Sequence, residues 1–446
     1  MEMKTIDRPD YVRRLAGAAG NGMVKIVTGI RRCGKSHLLN VAFRDWLRRE
    51  KGVDDRHVHA VSLDLKPFEA LQDPNRLYAH FAERIRPGKA MHYVFIDEVQ
   101  LCRKVLKEGV DPARVAPEDR DSLYVTFHDV LNSLAALPNA DVYVTGSNSR
   151  MLSSDVATQF RGRGWELRMR PLSFAEFLPA HGGDKADAWR DYETFGGLPQ
   201  VVLEPDEAEK RRLLAALFEK TYLKDIVERW KVRDTAALSR VADMLCSAVG
   251  SLTNPTRLAN AFSSLWEDGP SGPTVRKFLK YFEDAFLFQR ADRWDVKGGR
   301  YLSAPSKWYA TDVGLRNART NFRQQEPAHL MENVLYNELV GRGCSVDVGV
   351  VETTEGSGPD KEHVRREIDF VVNDGAGKVY IQSAYAVPDA EKRRQETESL
   401  RKTGDFFRKI VVTGGFEKPW TDETGIETIG LVPFLLDPGS HLARRP

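Results

Sequence analysis

Val24-Lys25-Ile26-Val27-Thr28-Gly29-Ile30-Arg31-Arg32-Cys33-Gly34-Lys35-Ser36 reads as a short β-rich run entering a glycine loop. The amphipathic stretch from His37 to Arg49 follows it. This is G-x4-G-K-S with a strand before it and a helix after it, the context the motif needs. Gly29 and Gly34 let the backbone curl so that successive N–H groups point inward at phosphate oxygens. The positive end of the following helix adds to the attraction for an anion. Lys35 supplies a point charge for β- and γ-phosphates, and the Ser36 hydroxyl is a natural Mg²⁺ ligand. The competing reading, a chance glycine turn before a helix, explains neither the lysine nor the hydroxyl. The sequence predicts a nucleotide-binding loop, with Gly29, Arg31, Arg32, Cys33, Gly34, Lys35, Ser36 and His37 as the candidate contacts.

The rest of the chain bounds what surrounds that loop. Its 446 residues exceed one core, and such a length implies about two to four domains. Hydrophobic residues at 41% and charged residues at 29% are ordinary for a globular protein. A net charge of +2 is too mild to argue for nucleic acid, so any basic surface must be local. Cys33, Cys102, Cys246 and Cys344 are far apart and lack metal-ligand spacing, which suits reduced thiols. Met1-Glu2-Met3-Lys4-Thr5-Ile6-Asp7 has no apolar run for a signal peptide, and no stretch is long enough to span a membrane. A cytoplasmic protein with no membrane partner is expected.

A lead-in helix carrying Tyr11, Val12 and Leu15 on one face is expected within residues 1–22. After the loop, His57 to Leu65 reads as a strand, and Leu77, Phe81 and Ile85 give a helical spacing. Tyr93-Val94-Phe95-Ile96-Asp97-Glu98-Val99-Gln100 is an apolar run ending in two carboxylates, as buried parallel strands look. Ligand sites in open α/β sheets sit at the carboxyl ends of strands. Asp97 there suits Mg²⁺, and Glu98, pointing the other way, suits the base that polarises the attacking water. The plainer alternative is an acidic strand end that caps the next helix; downstream of a phosphate loop the catalytic reading is favoured.

A fourth strand, Asp141 to Asn148, ends in polar residues that would place Thr145, Ser147 or Asn148 near the γ-phosphate. The carboxylates are expected one strand over from the loop, with Ser147 and Asn148 beyond them. Arg161 and Arg163 precede a fifth strand, 165–170. They read as charge sensors, as a finger offered to a neighbouring subunit of a homo-oligomer, or as a solvated loop.

Gly29 to Ser36, Ile96-Asp97-Glu98-Val99-Gln100, Thr145-Gly146-Ser147-Asn148-Ser149 and Arg161-Gly162-Arg163 with Pro171-Leu172-Ser173-Phe174-Ala175-Glu176-Phe177 together resemble the prokaryotic AAA-type P-loop ATPases. Phe195-Gly196-Gly197-Leu198-Pro199 and Tyr222-Leu223-Lys224-Asp225-Ile226 fit the same resemblance. It implies an ATPase using ATP and Mg²⁺, with Glu98, Asn148 and Arg161 catalytic and Ser36 and Asp97 on the metal. The subgroup resembled carries a C-terminal DUF4143 domain. The implied fold class is α/β: a P-loop core at 1–172, a helical lid at 173–252, a winged helix at 253–325 and a restriction-endonuclease-like domain at 326–446.

The winged-helix reading rests on Leu258, Ala259 and Phe262 on one helix, and on a second helix capped by Thr274. Val275, Phe278, Leu279, Phe282 and Phe286 form the second helix's apolar stripe, with Arg276, Lys277 and Lys280 opposite, where a DNA-reading helix would put them. Asp295 to Tyr301 would be the wing. From residue 328 an α-β-β-β-α-β order is similar to the restriction-endonuclease fold, and Glu332 and Asp369 match two of its acidic positions. Gln382-Ser383-Ala384 stands where that resemblance asks for an acid and a lysine. A degenerate domain used for binding or scaffolding is therefore expected, with Lys378 or Lys392 as a nearby substitute for the missing lysine.

Together these readings predict an ATPase that drives or gates a process on nucleic acid or a protein client. The alternatives are a nucleotide-gated DNA switch with little hydrolysis and an ATPase-coupled nuclease.

Overall fold

The computed structural model describes residues 5–147, 164–265, 269–323, 326–355, 362–373, 377–437 and 442. Asn148, Arg161 and Arg163 lie outside them. The chain divides into two compact units, Met1–Arg170 and Pro171–Pro446.

In the first unit, five strands form one parallel sheet: β1 (Val24–Thr28), β2 (Val58–Ser62), β3 (His92–Asp97), β4 (Ala140–Gly146) and β5 (Gly164–Arg168). Their order is β2-β3-β4-β1-β5. The strands alternate, so Val94, Ile96, Val142 and Val144 meet α3 (Pro74–Ala82) and α4 (Phe127–Ala135) through Leu77, Phe81, Val130 and Leu134. On the opposite face, Phe43 packs on Tyr143 with ring centroids 4.9 Å apart and on Phe95 at 6.1 Å. Phe43 belongs to α2, the helical run 35–51, which widens into a π-helical stretch over Leu38–Phe43. Each of these fully buried rings stabilises the unit by about 2–3 kcal/mol. α1 (Pro9–Ala18) buries Tyr11, Leu15 and Ala18, the face its spacing predicts apart from Val12. Lys25 is wholly buried and paired with Asp141, which also accepts from the Tyr143 hydroxyl at 2.8 Å and the Gly20 N–H at 2.9 Å.

The order of the strands corrects the expected arrangement of the site. β4 lies between β1 and β3, so the Asp97 strand is two places from the phosphate loop and Thr145 stands between.

The second unit begins with helices, among them α5 (Phe174–His181), α6 (Lys185–Phe195), α7 (Glu207–Ala216) and α8 (Thr235–Ser247). After α9 (Pro255–Leu265) and α10 (Gly272–Asp284), an eight-stranded sheet follows. Ser271, rather than Thr274, caps α10. Phe286 lies past the end of α10 with φ +58°. The sheet contains β6 (Phe288–Asp295), β7 (Arg300–Ala310), β8 (Ser345–Glu355), β9 (Glu362–Asn373), β10 (Lys378–Ala384), β11 (Arg408–Thr413), β12 (Trp420–Thr421) and β13 (Glu427–Gly430), in the order β12-β13-β11-β10-β9-β8-β6-β7. The β6–β7 hairpin, read from sequence as a wing, thus joins the same sheet as the strands after residue 328 through the β6–β8 pairing. α11 (Val313–Arg319), α12 (Pro327–Gly341), α13 (Ala390–Arg401) and α14 (Leu431–Leu436) complete the unit, and the α-β-β-β-α-β order runs through α12, β8, β9, β10, α13 and β11.

Phe195-Gly196-Gly197-Leu198-Pro199 is a buried junction. Asp312 caps α11 by accepting from Leu315 N–H at 3.0 Å, and its other oxygen accepts from Gly197 N–H at 2.8 Å. Asn317 then donates to the Glu193 and Thr194 carbonyls at 2.9 and 3.0 Å, satisfying the open end of α6. Gly196 has φ +73°, and a Cβ there would stand 2.3 Å from Asp312 Oδ1. Gly182 has the same φ with nothing within 4 Å. Gly196→Ala is therefore expected to lower unfolding stability by about 3 kcal/mol, and Gly182→Ala by about 1 kcal/mol, in urea denaturation. Equal losses at the two positions would mean that neither the Asp312 contact nor the extended ψ of −164° at Gly196 adds to the cost.

Candidate functional site at the carboxyl edge of the parallel sheet

The loop after β1 is shaped by two close approaches. Gly29 has φ +141°, and a Cβ on it would lie 2.0 Å from the Met169 carbonyl oxygen, so no larger residue fits. Gly34 has φ +102° and opens α2. Between them Arg32 takes the left-handed conformation at φ 64°, with its side chain exposed. Cys33 has no exposure; its thiol faces the Met169 carbonyl at 3.6 Å. This loop position is thus a packed one, and Cys33, named among the candidate contacts, offers a ligand only its backbone.

Lys35 is buried at 4% exposure, and its ammonium curls back to donate to the Gly29 and Ile30 carbonyls, both at 3.0 Å. Those are neutral acceptors that an anion in the loop would outcompete. Ser36 is exposed at the mouth, with its hydroxyl near enough to Asp97 to help hold that carboxyl's pKa down. His37 is half-buried, with its Nε2 unpartnered among the described residues.

Asp97 and Glu98 are joined through Thr145. The Thr145 hydroxyl donates to Asp97 Oδ1 and accepts from the Glu98 N–H at 3.0 Å. Glu98 itself is left-handed, at φ 53° and ψ 47°. For a residue with a long side chain this costs on the order of 1–2 kcal/mol. The reversal turns its carboxylate away from Asp97 and toward β4. There Ser147 donates to Glu98 Oε2 at 3.2 Å, and the Gln100 amide donates to the same oxygen and lies 3.3 Å from Ser147 Oγ. Arg31 reaches Ser147 Oγ at 3.5 Å. Burial pushes the Asp97 carboxyl up from its usual range, while the hydroxyls of Thr145 and Ser36 pull it down and the Glu98 and Asp64 charges add to the rise.

Gly29, Arg31, Gly34, Lys35, Ser36, Asp97 and Glu98 therefore meet at one edge, where Thr145 and Ser147 link them. Sequence reading missed Gln100 and Arg8. Gln100 is signalled only by closing the acidic strand end. Arg8 is buried and donates to the Arg170 carbonyl at 2.6 Å and the Cys33 carbonyl at 3.3 Å, clamping the loop to the end of β5. No pattern around Arg8 announces this.

Comparison with known proteins places this edge in a family. Residues 21–178 match the family described as AAA domain, and residues 186–326 match a domain of unknown function, DUF8612. DUF4143, the label expected from the resemblance, is not the one that matched. An uncharacterised protein of Haemophilus influenzae is 31% identical over 442 residues, covering 98% of this chain and all 100% of its own. An uncharacterised protein of Methanocaldococcus jannaschii, MJ1544, is 24% identical, covering 92% of this chain and 87% of its own. Among solved structures, the Aeropyrum pernix ORC1 protein in complex with DNA is 12% identical with a TM-score of 0.28, covering 71% of this chain and 93% of its own. Cdc6p from Pyrobaculum aerophilum is 10% identical, also at 0.28, covering 75% and 96%. Likeness this slight bears on no functional point. Among the described residues no helix is long and apolar enough to cross a membrane.

Thr145→Val keeps the shape of the side chain but strands the Glu98 N–H and one oxygen of Asp97. It is expected to lower stability by about 2 kcal/mol in urea unfolding, with Thr145→Ser recovering most of the loss.

Proposed function

The chain belongs to the family of the Haemophilus influenzae relative and carries an AAA domain, and from that premise we propose that it binds ATP with Mg²⁺ and hydrolyses it. The observation that carries this reading is the Thr145 bridge, which couples a buried carboxylate beside Ser36 to a second one aimed along the sheet edge.

The loop's backbone N–H groups and Lys35 bind the phosphates, Lys35 exchanging two neutral carbonyls for anionic oxygens. Asp97 and Ser36 suit Mg²⁺, because the groups around Asp97 are hydroxyls and carboxylates, the hard oxygen donors that ion takes. Bound there, Mg²⁺ would neutralise charge on the β- and γ-phosphates. Glu98 accepts the proton of the attacking water; Ser147 and Gln100 both address Oε2, which leaves Oε1 facing the water. The left-handed backbone at Glu98 is the strain that holds this aim. Arg31, hydrogen-bonded to Ser147, adds positive charge where the γ-phosphate would sit. Asn148 and Arg161 remain candidates for orienting the water and sensing charge.

A second reading, a DNA-associated switch gated by nucleotide, is favoured by one observation. Arg276 and Lys277 on α10 are exposed ahead of the β6–β7 hairpin, in winged-helix order. Lys280, the third basic residue, is engaged by Asp284 at 3.0 Å and does not contribute. A salt-dependent gel shift with and without ATP separates this switch from a protein-directed ATPase.

Lys35→Ala is expected to abolish ATP binding measured by titration calorimetry. Glu98→Gln should keep binding within a few-fold and lose at least about 100-fold in phosphate release. Normal turnover by Glu98→Gln would remove Glu98 from the mechanism.

A further inference from the structure

The second unit contains a charge cluster that the ATP reading does not use. Lys307, on β7, is 3% exposed, and its ammonium lies 2.8 Å from Glu332, 2.8 Å from Glu367 and 3.2 Å from Asp369. Glu332 comes from α12, and Glu367 and Asp369 come from β9. An ammonium has three donors, and here each faces a different carboxylate. Two further donors reach the cluster: the Tyr309 hydroxyl donates to Glu332 Oε1, the oxygen Lys307 also contacts, at 2.6 Å, and Asp369 Oδ2 accepts from the Ser383 N–H at 2.9 Å.

Glu332 and Asp369, the two residues matched to acidic positions of the endonuclease fold, do converge, but on a lysine. That lysine does not come from the strand where the endonuclease resemblance asks for one, and neither expected substitute reaches the cluster. Lys378 lies over the Trp294 and Phe407 rings, at 5.4 and 5.8 Å, and Lys392 pairs with Glu396 at 2.7 Å. The electrostatics fit an occupied cation position. Burial alone would lower the Lys307 pKa, but Asp369, Glu332 and Glu367 together hold it above the ordinary lysine range. Burial, and then the charge of Asp369, push the Glu332 carboxyl up to about 7 even with Lys307 in contact. With Lys307 in place, no group of His, Cys, Asp and Glu among the described residues is arranged to hold a metal ion.

We infer that Glu332, Glu367 and Asp369 form a cation site whose resident ion is the Lys307 ammonium, so that a divalent cation enters only when that ammonium is removed. The lysine then does structurally what a metal would do: it pins α12 and β9 to β7 through one centre. It also leaves that centre without the metal a phosphodiester hydrolysis would need. This does not depend on ATP chemistry in the first unit.

The test uses the full chain without nucleotide, titrated with Mn²⁺ and followed by calorimetry and by electron paramagnetic resonance of the free ion. Wild type and Glu367→Gln should give the same isotherm, because Lys307 excludes the metal from both. Lys307→Ala should gain one site, at least tenfold tighter than any wild-type binding there, and lose it again in Lys307→Ala/Asp369→Asn. Mn²⁺ should also raise the thermal midpoint of Lys307→Ala but not of wild type. A wild-type site that disappears in Glu367→Gln would overturn the proposal, as would a folded Lys307→Ala that gains none. If Lys307→Ala does not fold, the wild-type and Glu367→Gln pair still decides: equal isotherms together with uncut supercoiled plasmid in Mn²⁺ support it. Different isotherms, or plasmid nicking by wild type that Glu367→Gln loses, refute it.

Discussion

The site depends on β4 lying in register between β1 and β3. Val27 pairs with Thr145 on one side and Ile96 pairs with Val144 on the other, so the carboxyl ends of all three strands reach the same edge. Parallel strands buried on both faces cannot slide by one residue without sending Val94, Ile96, Val142 and Val144 to the wrong side. That packing constraint sets the distance from Gly29 to Asp97. Thr145 converts it into chemistry, because a hydroxyl there can serve Asp97 and the Glu98 backbone together. Arg8 and Met169 close the other side of the loop, so its shape is maintained by three segments far apart in sequence.

Much of this was legible from local pattern. Glycines at Gly29 and Gly34 stand where positive φ is required, and an uninterrupted apolar run marks β3 as a buried strand. The helix 74–82 follows the spacing of Leu77, Phe81 and Ile85 and ends before Ile85. What sequence could not convey was adjacency. Connection order places Asp97 nearer the loop than Thr145, whereas the sheet reverses them. The left-handed turn at Glu98 was equally hidden, since no glycine or asparagine marks it. Arg8 was invisible because a single arginine ahead of a helix carries no periodicity.

The second unit shows the same limit more strongly. The order of α12, β8, β9, β10, α13 and β11 was readable, and so were the two acids that converge. The lysine that meets them sits on β7, a strand assigned from sequence to a different module, and pairing across β6 and β8 brings that hairpin into the sheet. Asp312 repeats the lesson: a cap for α11 also accepts from the backbone of a glycine pair more than a hundred residues earlier. Both are buried polar groups whose partners come from distant segments. Such groups are expensive to leave unpaired, so they fix how the segments meet.

The central claim is that Asp97, beside Ser36 and braced by Thr145, is where ATP and Mg²⁺ become one ligand. Titration of ATP into wild type and Asp97→Asn, each with and without Mg²⁺, tests it most directly. The account predicts that Mg²⁺ tightens ATP binding at least tenfold in wild type and little in Asp97→Asn, while metal-free affinity is similar in the two. An equal Mg²⁺ effect in both proteins would contradict it.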